Sequence, residues 1–119
     1  MKYKSLKIGS KEYKTDQLIE SVLESKDIYW LNDCEFENAV IEINRGKVTW
    51  KDGDFYNGIW YGDIWESGEW FYGIWTDGVF KGGKFYNGIW ENGVFEKGKF
   101  INGEVLNGTF KNHNSAEEK

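Results

Sequence analysis

The sequence has no proline, one cysteine, one histidine and one methionine among its 119 residues. Without proline it cannot be collagen-like, and with Cys34 alone it cannot form the internal disulfides of a small secreted scaffold. A membrane-spanning helix needs about 18 consecutive apolar residues, and every apolar run in this sequence is shorter. Residues 1–7 lack the apolar core of a secretory signal, so we expect a cytoplasmic protein, in the cell that produces it or in a host cell.

Residues that usually carry enzyme chemistry are scarce. The one histidine, His113, falls in a polar terminal stretch, so neither a Ser-His-Asp triad nor a histidine metal site is expected. The glycines recur every five residues instead of opening a helix after a strand, as the glycines of nucleotide-binding loops do. We interpret Cys34 as a small core residue and Asp63 as part of a turn. The sequence therefore predicts a protein that is not an enzyme and that has no cofactor and no metal site.

Aromatic residues and glycine are abundant, with 7 Trp, 7 Tyr, 8 Phe and 15 Gly. From Trp50 to Phe110 an aromatic residue recurs every five positions, and Val105 is the one exception. A glycine precedes nearly every member of this series by two positions, and Asn, Asp or Gly commonly precedes that glycine. We predict that the aromatic members form a core ladder: Trp50, Phe55, Trp60, Trp65, Trp70, Trp75, Phe80, Phe85, Trp90, Phe95, Phe100 and Phe110.

A period of five fits neither a helix, with about 3.6 residues per turn, nor a continuous strand, whose period is about 2. Each unit therefore predicts a short strand and a tight corner, because Asn-Gly and Asp-Gly favour turns. The corners wind the chain into an all-β solenoid or close the hairpins of a meander, and we favour the solenoid because such short strands would bury little in a meander. Four units per coil would stack Trp50 on Trp70, but the period also allows three units per coil.

The aromatic side chains of the series are predicted to point into the solenoid. They are the largest source of apolar area that the chain can remove from water. The opposite orientation would bury charged residues such as Asp54, Lys84 and Lys99, which is costly without partners. The glycines two positions earlier share the inward parity, so we expect each glycine to leave room for a ring.

This combination of small and large inward residues resembles the pentapeptide-repeat proteins. Residues 34–43 resemble two ordinary units of that family, with Cys34 and Ala39 as the small inward residues and Phe36 and Ile41 as the large ones. The later units use Gly and Trp where the family uses Ala and Leu. The resemblance implies a right-handed quadrilateral β-helix, and the Gly-x-Trp units are also similar to runs in short proteins of tailed phages.

The segment before the array is predicted to cap the solenoid. Residues 3–14 alternate apolar and polar residues like a β-hairpin, and Thr15-Asp16 is a suitable helix start. The apolar stripe of that helix, which ends near Lys26, comprises Leu18, Ile19, Val22 and Leu23. Tyr29 and Trp30 should enter the first coil. The repeat slips in phase by one residue between Ile41 and Trp50, which predicts a loop or bulge at 44–46.

The predicted organisation has three parts: a β-hairpin and short helix cap over 1–29, a pentapeptide-type β-helix over 30–112 with its regular array at 50–112, and a polar frayed tail over 113–119. A solenoid needs a cap at each end, and the sequence shows none after Phe110. We therefore expect this end to pair with a second copy in a homodimer.

The outward positions predict a surface for a partner. In coils of four units, six of these residues would share one face: Ile59, Tyr61, Val79, Lys81, Lys99 and Ile101. Ordinary strand propensity also accounts for exposed β-branched residues on such a face. The other outward or corner aromatic residues, which are further candidates for contacts, are Tyr56, Phe71, Tyr72 and Tyr86.

Three functions remain. The first is a protein-interaction module that docks on, inhibits or bridges another protein. A module of this kind would serve as a phage accessory or host-interaction protein. The second, implied by the resemblance, is a DNA mimic that inhibits a topoisomerase, although the array has six Lys against nine Asp and Glu. The third is carbohydrate binding by an aromatic platform, which would need tryptophans on the outside. A membrane is not an expected partner, because no apolar run is long enough to span one. A nucleic acid is not expected either, because the net charge is −5.

Overall fold

The computed structural model describes residues 1–111, so the tail predicted at 113–119, including His113, lies outside the described residues. The elements up to the start of the array are longer than those that follow: β1 (Tyr3–Ile8), β2 (Lys11–Tyr13), α1 (Asp16–Ser25), a 3₁₀ turn (Tyr29–Leu31), β3 (Glu35–Asn44) and β4 (Lys47–Asn57), whose second part belongs to the array. Eleven strands of two residues follow: β5 (Ile59–Trp60), β6 (Ile64–Trp65), β7 (Glu69–Trp70), β8 (Ile74–Trp75), β9 (Val79–Phe80), β10 (Lys84–Phe85), β11 (Ile89–Trp90), β12 (Val94–Phe95), β13 (Lys99–Phe100), β14 (Glu104–Val105) and β15 (Thr109–Phe110).

The array is a β-solenoid of about four parallel coils whose short strands recur every five residues. Each strand pairs in parallel with the strand 15 residues further on, as Trp50 does with Trp65 and Trp65 with Phe80. One coil therefore holds three units, and the solenoid has three faces. The stacking expected for four units, Trp50 on Trp70, is wrong, and so is the quadrilateral cross-section that the resemblance implied.

Strand pairing defines the three faces. The first face contains the start of β4, then β6, β9, β12 and β15. The second face contains the end of β4, then β7, β10 and β13, and the third contains β5, β8, β11 and β14. Because β4 contributes to two faces, these faces belong to one 11-stranded sheet, and the third face is a separate four-stranded sheet.

The core ladder is confirmed. Its members from Trp50 to Phe100 are all 0% exposed, and Phe110, in the last described coil, is half-buried. Within each face the rings stack nearly parallel, as Phe55 does on Trp70 at 4.1 Å and 5°. Rings on different faces meet edge to face, as Trp60 and Trp65 do at 77°. These are the two arrangements that aromatic pairs prefer, and together they fill the tube.

The corners explain why glycine recurs. At Gly98, φ is +122°, and a Cβ there would lie 2.5 Å from the carbonyl oxygen of Gly83 in the preceding coil. That carbonyl accepts a hydrogen bond from the N–H of Lys99 at 2.9 Å, which fixes its position. Room for a ring, the expected reason, is a second constraint: a Cβ on Gly93 would lie 3.1 Å from Nε1 of Trp75.

The residue before the corner glycine has its own role. At five corners the side-chain oxygen of an Asn or Asp accepts a hydrogen bond from the N–H of the next glycine, at 2.8–2.9 Å. These residues are Asp52, Asn57, Asp77, Asn87 and Asn107. The bond satisfies an N–H that the turn would otherwise leave to water, which explains the preference seen in the sequence.

The corner at Asp63 departs from the pattern. The Asp63 carboxylate accepts a hydrogen bond from the N–H of Val48 at 2.8 Å, and its own N–H donates to the Val48 carbonyl at 3.0 Å. A Cβ on the adjacent Gly62 would collide with the Trp60 indole. Asp63 therefore fastens the first full coil to β4.

The cap forms as predicted in outline. Strands β1 and β2 make an antiparallel hairpin, and α1 starts at Asp16 after Thr15. The Asp16 carboxylate accepts hydrogen bonds from the N–H groups of Lys2 at 3.1 Å and Tyr3 at 2.9 Å, which joins the helix to β1. Within the predicted helical stripe, Leu18 is exposed, a correction that leaves Ile19 and Leu23 as the buried anchors.

Of two further predictions for this region, one is wrong and one is confirmed. Residues 34–43 are not two repeat units: β3 is one strand, antiparallel to β4 and parallel to β1. Cys34, Phe36, Ala39 and Ile41 are all buried, as predicted. The three-residue step from Phe36 to Ala39 comes from a β-bulge, because the register shifts between Glu37 and Val40 and Asn38 has a φ of 57°. The predicted loop at 44–46 is the tight turn of this hairpin, where Arg45 and Gly46 both have positive φ, at 53° and 80°.

Tyr29 and Trp30 do not both enter the first coil. Tyr29 is 56% exposed, whereas Trp30 packs edge to face on Trp60 at 5.4 Å. The indole of Trp30 thus covers the end of the ring column on the third face. Because β1 pairs with β3 and β3 with β4, the cap and the array share the 11-stranded sheet, and the domain boundary at residue 30 stays a prediction.

Candidate protein-binding surface

The six residues predicted as a partner face lie on three faces instead of one. This follows from the coil length, because a face repeats every third unit and not every fourth. The structure distributes the six in pairs over the third, first and second faces: Ile59 with Tyr61, Val79 with Lys81, and Lys99 with Ile101. The prediction that these six residues share one face is therefore wrong.

Other outward aromatic residues come together instead. Tyr56, Phe71 and Tyr86 lie 15 residues apart on the second face and form a stack, which we call the outer ring ladder. The ring centroids are 5.4 Å apart for Tyr56 and Phe71 and 5.0 Å apart for Phe71 and Tyr86, with interplanar angles of 25° and 9°. Ile101, which is exposed, occupies the same position in the next coil.

Strand geometry aims these rings outward. Each follows a buried core ring by one residue, so its side chain leaves the opposite side of the strand. The backbone fixes the spacing, because the N–H of Phe71 donates to the carbonyl of Phe55 at 2.8 Å and that of Tyr86 to Trp70 at 2.7 Å. The outer ring ladder therefore rests on the rigid core and not on a loop.

Charged residues run beside the outer ring ladder. On the other outward position of the second face, Asp54 and Glu69 are followed by Lys84 and Lys99 in the next coils. This column is acidic near the cap and basic farther along. Partial burial and then the neighbouring charge of Glu69 raise the pKa of the Asp54 carboxyl. The Tyr56 hydroxyl donates a hydrogen bond to Glu37 Oε1 at 3.2 Å, which orients the first ring.

A second surface feature lies between the cap and the first coil. It is a cavity of about 510 Å³, which we call the cap groove, lined by Asp27, Tyr29, Trp30, Asp33, Cys34, Gly58, Ile59 and Tyr61. The aromatic residues crowd together here, since the Trp30 and Tyr61 rings lie 5.8 Å apart at 76°. Tyr61, like Tyr29, is 56% exposed.

Cys34 lies at the cap groove but is a core residue, as the sequence predicted. It is 2% exposed, and its Sγ lies 3.4 Å from the carbonyl oxygens of Trp30 and Ile59, either of which accepts a hydrogen bond from the single S–H. Burial raises the pKa of the Cys34 thiol to about 11, so the reactive thiolate is scarce at neutral pH.

The end of α1 positions Asp27. The N–H of Asp27 donates to the Glu24 carbonyl at 3.3 Å and that of Ile28 to the Leu23 carbonyl at 3.0 Å, which is the Schellman pattern of helix ends. The pattern requires positive φ at Asp27, where φ is 59°. Glycine is the usual residue at this position because a side chain strains the backbone there.

The first face carries charges of alternating sign. The residues after its core rings are Lys51, Glu66, Lys81, Glu96 and Lys111. Lys51 Nζ lies 3.3 Å from Glu66 Oε1, a contact between partly exposed groups that adds little stability. A duplex DNA presents one negative charge per about 1.7 Å of its axis, and neither this alternating column nor the column of the second face reproduces such a row.

The described residues contain neither a metal-binding cluster nor a membrane-spanning helix. In residues 1–111, no three or more His, Cys, Asp or Glu side chains are close enough together to hold a metal ion. The one described helix, α1, is too short and too polar to cross a membrane.

No protein-family model, curated protein or solved structure matches the chain.

The sequence did contain a signal for the outer ring ladder. Tyr56, Phe71 and Tyr86 are spaced by 15 residues, as are Ile59, Ile74 and Ile89 on the third face. The outward positions thus repeat with the coil and not with the unit. The cap groove gave no such signal, because it depends on how residues 27–34 sit against residues 58–61.

Proposed function

We propose that the chain is a non-catalytic protein-interaction module, a rigid β-solenoid that docks on, inhibits or bridges another protein. The observation that carries the proposal is the outer ring ladder on the second face. The core ladder already fills the tube, so the fold does not need Tyr56, Phe71 and Tyr86 as core residues. Aromatic residues held rigidly at a surface are typical anchors of protein interfaces, because they bury much area at little entropic cost.

The charge column beside the ladder suggests the partner's complementary surface. A partner that covers the rings would place basic groups near Asp54 and Glu69 and acidic groups near Lys84 and Lys99. Such an arrangement fixes orientation and raises the association rate more than it raises affinity. It also distinguishes this face from the first face, whose charges alternate.

The proposal is tested by using the protein to capture binding partners from a lysate of the cell in which it is naturally made. We compare the full chain with Phe71→Lys, in the middle of the ladder, and with Glu91→Lys, an exposed residue of the third face. We expect a partner that the full chain and Glu91→Lys retain and that Phe71→Lys loses. Binding that Phe71→Lys leaves intact would refute the ladder as the docking surface.

The two alternatives predict different results. A DNA mimic would compete with DNA for a topoisomerase and would lose this activity when acidic residues such as Asp54 are neutralised. Carbohydrate binding would shift the tryptophan emission on addition of sugar. The buried core tryptophans do not favour a sugar platform, and the faces of the Phe71 ring are covered by Tyr56 and Tyr86, which leaves its edge to solvent.

A homodimer through the far end of the solenoid is favoured by a separate observation. In the last described coil, Val105 is 43% exposed, although the rings below it on the third face are fully buried. Leu106 is also exposed. A second copy would cover these residues. Light scattering by the full chain is expected to give twice the 13.9 kDa chain mass, and a monomer at micromolar concentration would refute the homodimer.

The remaining proposals concern relationship and location. The five-residue unit supports a relationship to the pentapeptide-repeat proteins in a Gly-x-Trp variant, and the resemblance to tailed-phage proteins suggests a phage accessory or host-interaction role. The free, buried Cys34 thiol suits the cytoplasm of the producing or host cell. Localisation of a tagged full chain tests the compartment.

A further inference from the structure

We propose that the cap groove binds the guanidinium or ammonium group of an arginine or lysine side chain. The inference rests on the proposed function in one respect: a protein partner would carry the cation. The cavity is lined by three aromatic residues, Tyr29, Trp30 and Tyr61, and by two exposed acidic residues, Asp27 and Asp33. Aromatic rings attract a cation through their quadrupole, and a carboxylate supplies the opposite charge.

The carboxylates of the cap groove have no cation of their own. Among residues 1–111, the ion pairs closer than 4 Å are those of Lys51 with Glu42 and with Glu66, both outside the groove. Lys2, which lies near Cys34, donates to the carbonyl of Asn32 at 2.7 Å and sits 5.0 Å from the Phe36 ring centroid. The charge of Asp27 and Asp33 is therefore left for a ligand.

The local cost of Asp27 is consistent with a binding role. A non-glycine residue at positive φ strains the backbone, and a negative charge near the C-terminus of a helix opposes the helix dipole. Glycine at this position would avoid both costs, and asparagine would avoid the second. The chain nevertheless has a carboxylate here, at the rim of an aromatic cavity, where a cation would gain from it.

The size and chemistry of the cavity select the ligand class. A volume of about 510 Å³ accepts a long side chain together with part of its backbone. Cys34 also lines the cavity, but its S–H donates to a backbone carbonyl and burial raises the pKa of the thiol, so it adds no negative charge at neutral pH. An anionic group would be repelled by both carboxylates, and a neutral apolar group would leave them unused.

The test titrates the full chain with three probes at constant ionic strength: N-acetyl-arginine methylamide, N-acetyl-lysine methylamide and the neutral isostere N-acetyl-citrulline methylamide. The readout is the NMR shift of the Trp30 indole N–H. We expect saturable shifts with the two cations, with dissociation constants on the order of 1–10 mM. The citrulline probe should bind at least about tenfold more weakly, because it lacks the charge.

Two variants sharpen the result. Asp27→Asn and Asp33→Asn should each weaken cation binding by about three- to tenfold, whereas Glu104→Gln, which removes an equal charge in the last described coil, should not. Asp27→Asn tolerates positive φ, so it remains folded. Equal binding of citrulline, absence of saturation, or unchanged affinity in both variants would overturn the proposal. The titration uses no partner protein, so a negative titration would not affect the capture experiment with Phe71→Lys. A negative capture experiment would likewise not affect the titration.

Discussion

In the array, Phe80 stacks on Trp65 at 5.5 Å and on Phe95 at 4.8 Å, and equivalent contacts recur in every coil. In the cap, the Tyr3 hydroxyl donates to Asn32 Oδ1 at 2.7 Å, a contact that occurs once. The stability of the array is therefore a sum of similar coil-to-coil terms, whereas that of the cap depends on individual bonds. This difference predicts that position along the axis decides the effect of an array substitution and that chemical identity decides the effect of a cap substitution.

The largest effect is expected at a core ring in the middle of the array. Phe80→Ala leaves a cavity between two stacked rings and should lower the free energy of unfolding by about 3–5 kcal/mol. Phe110→Ala, on the same face but in the last described coil and half-buried, should cost about 1–2 kcal/mol. Urea denaturation measures both. Equal losses at the two positions would contradict the dependence on position.

A corner glycine should be nearly as sensitive. Gly88→Ala places a Cβ against the carbonyl of Gly73, which accepts a hydrogen bond from Ile89 at 2.9 Å, and φ there is +126°. We expect a loss of about 3–4 kcal/mol. The matched control is Gly9→Ala in the cap hairpin, where φ is also positive but no atom lies within 4 Å, with a loss of about 1–2 kcal/mol. A Gly88 variant as stable as the Gly9 variant would disprove the close approach of the coils.

In the cap, a single hydrogen bond should have an intermediate effect. Asn32→Ala removes the acceptor of the buried Tyr3 hydroxyl and the donor to the Glu20 carbonyl, so we expect a loss of about 1–3 kcal/mol. In a Tyr3→Phe background the same substitution should cost less, because no hydroxyl is left without a partner. A double-mutant cycle measures this coupling, and additive losses would rule it out.

Asp27→Gly should stabilise the protein. It removes the strain of a side chain at positive φ and the charge near the helix C-terminus, for a gain of about 0.5–1 kcal/mol in the free energy of unfolding. The thermal midpoint should rise, while binding of the cationic probes should weaken. A destabilised variant would mean that Asp27 supports the fold and not the cap groove.

The smallest effect concerns the like charges of Asp54 and Glu69 in neighbouring strands. Asp54→Asn should raise stability at neutral pH by about 0.2–1 kcal/mol. Because the folded pKa of Asp54 is raised, the folded state holds this proton more tightly than the unfolded state, and stability falls as pH rises through the folded pKa. The benefit of Asp54→Asn should therefore vanish in acid, below the unfolded pKa. If the stability gained by Asp54→Asn did not change with pH, charge repulsion between Asp54 and Glu69 could not be its cause.

The array was predictable from the sequence because one interaction repeats. Burial of Trp65 or Phe85 follows from parity and from the cost of burying Lys84 instead, and both rings are buried. The coil length did not follow from the five-residue period, since three or four corners both close a coil. The outward spacing of Tyr56, Phe71 and Tyr86 held the missing information, because outward residues differ between faces while inward residues do not.

The cap was predictable only element by element. The hairpin and α1 follow from local patterns. Strand β3 was mistaken for repeat units because its bulge gives the buried residues Phe36, Ala39 and Ile41 the spacing of the repeat. The cap groove depends on the packing of Trp30 against Trp60 and Tyr61, residues about 30 positions apart. No local preference determines such a contact, so neither the groove nor the exposure of Tyr29 could be predicted.

Spin labels give the most direct test of the three-unit coil. In a Cys34→Ala background, labels replace Val79 and Val94, which pair in adjacent strands, or Val79 and Lys99, which lie on different faces. Strands in one sheet lie about 4.8 Å apart, so the first pair should show strong spin–spin broadening and the second only the sum of the single-label spectra. Broadening for residues 79 and 99, with none for residues 79 and 94, would contradict the 15-residue coil and the surfaces that it creates.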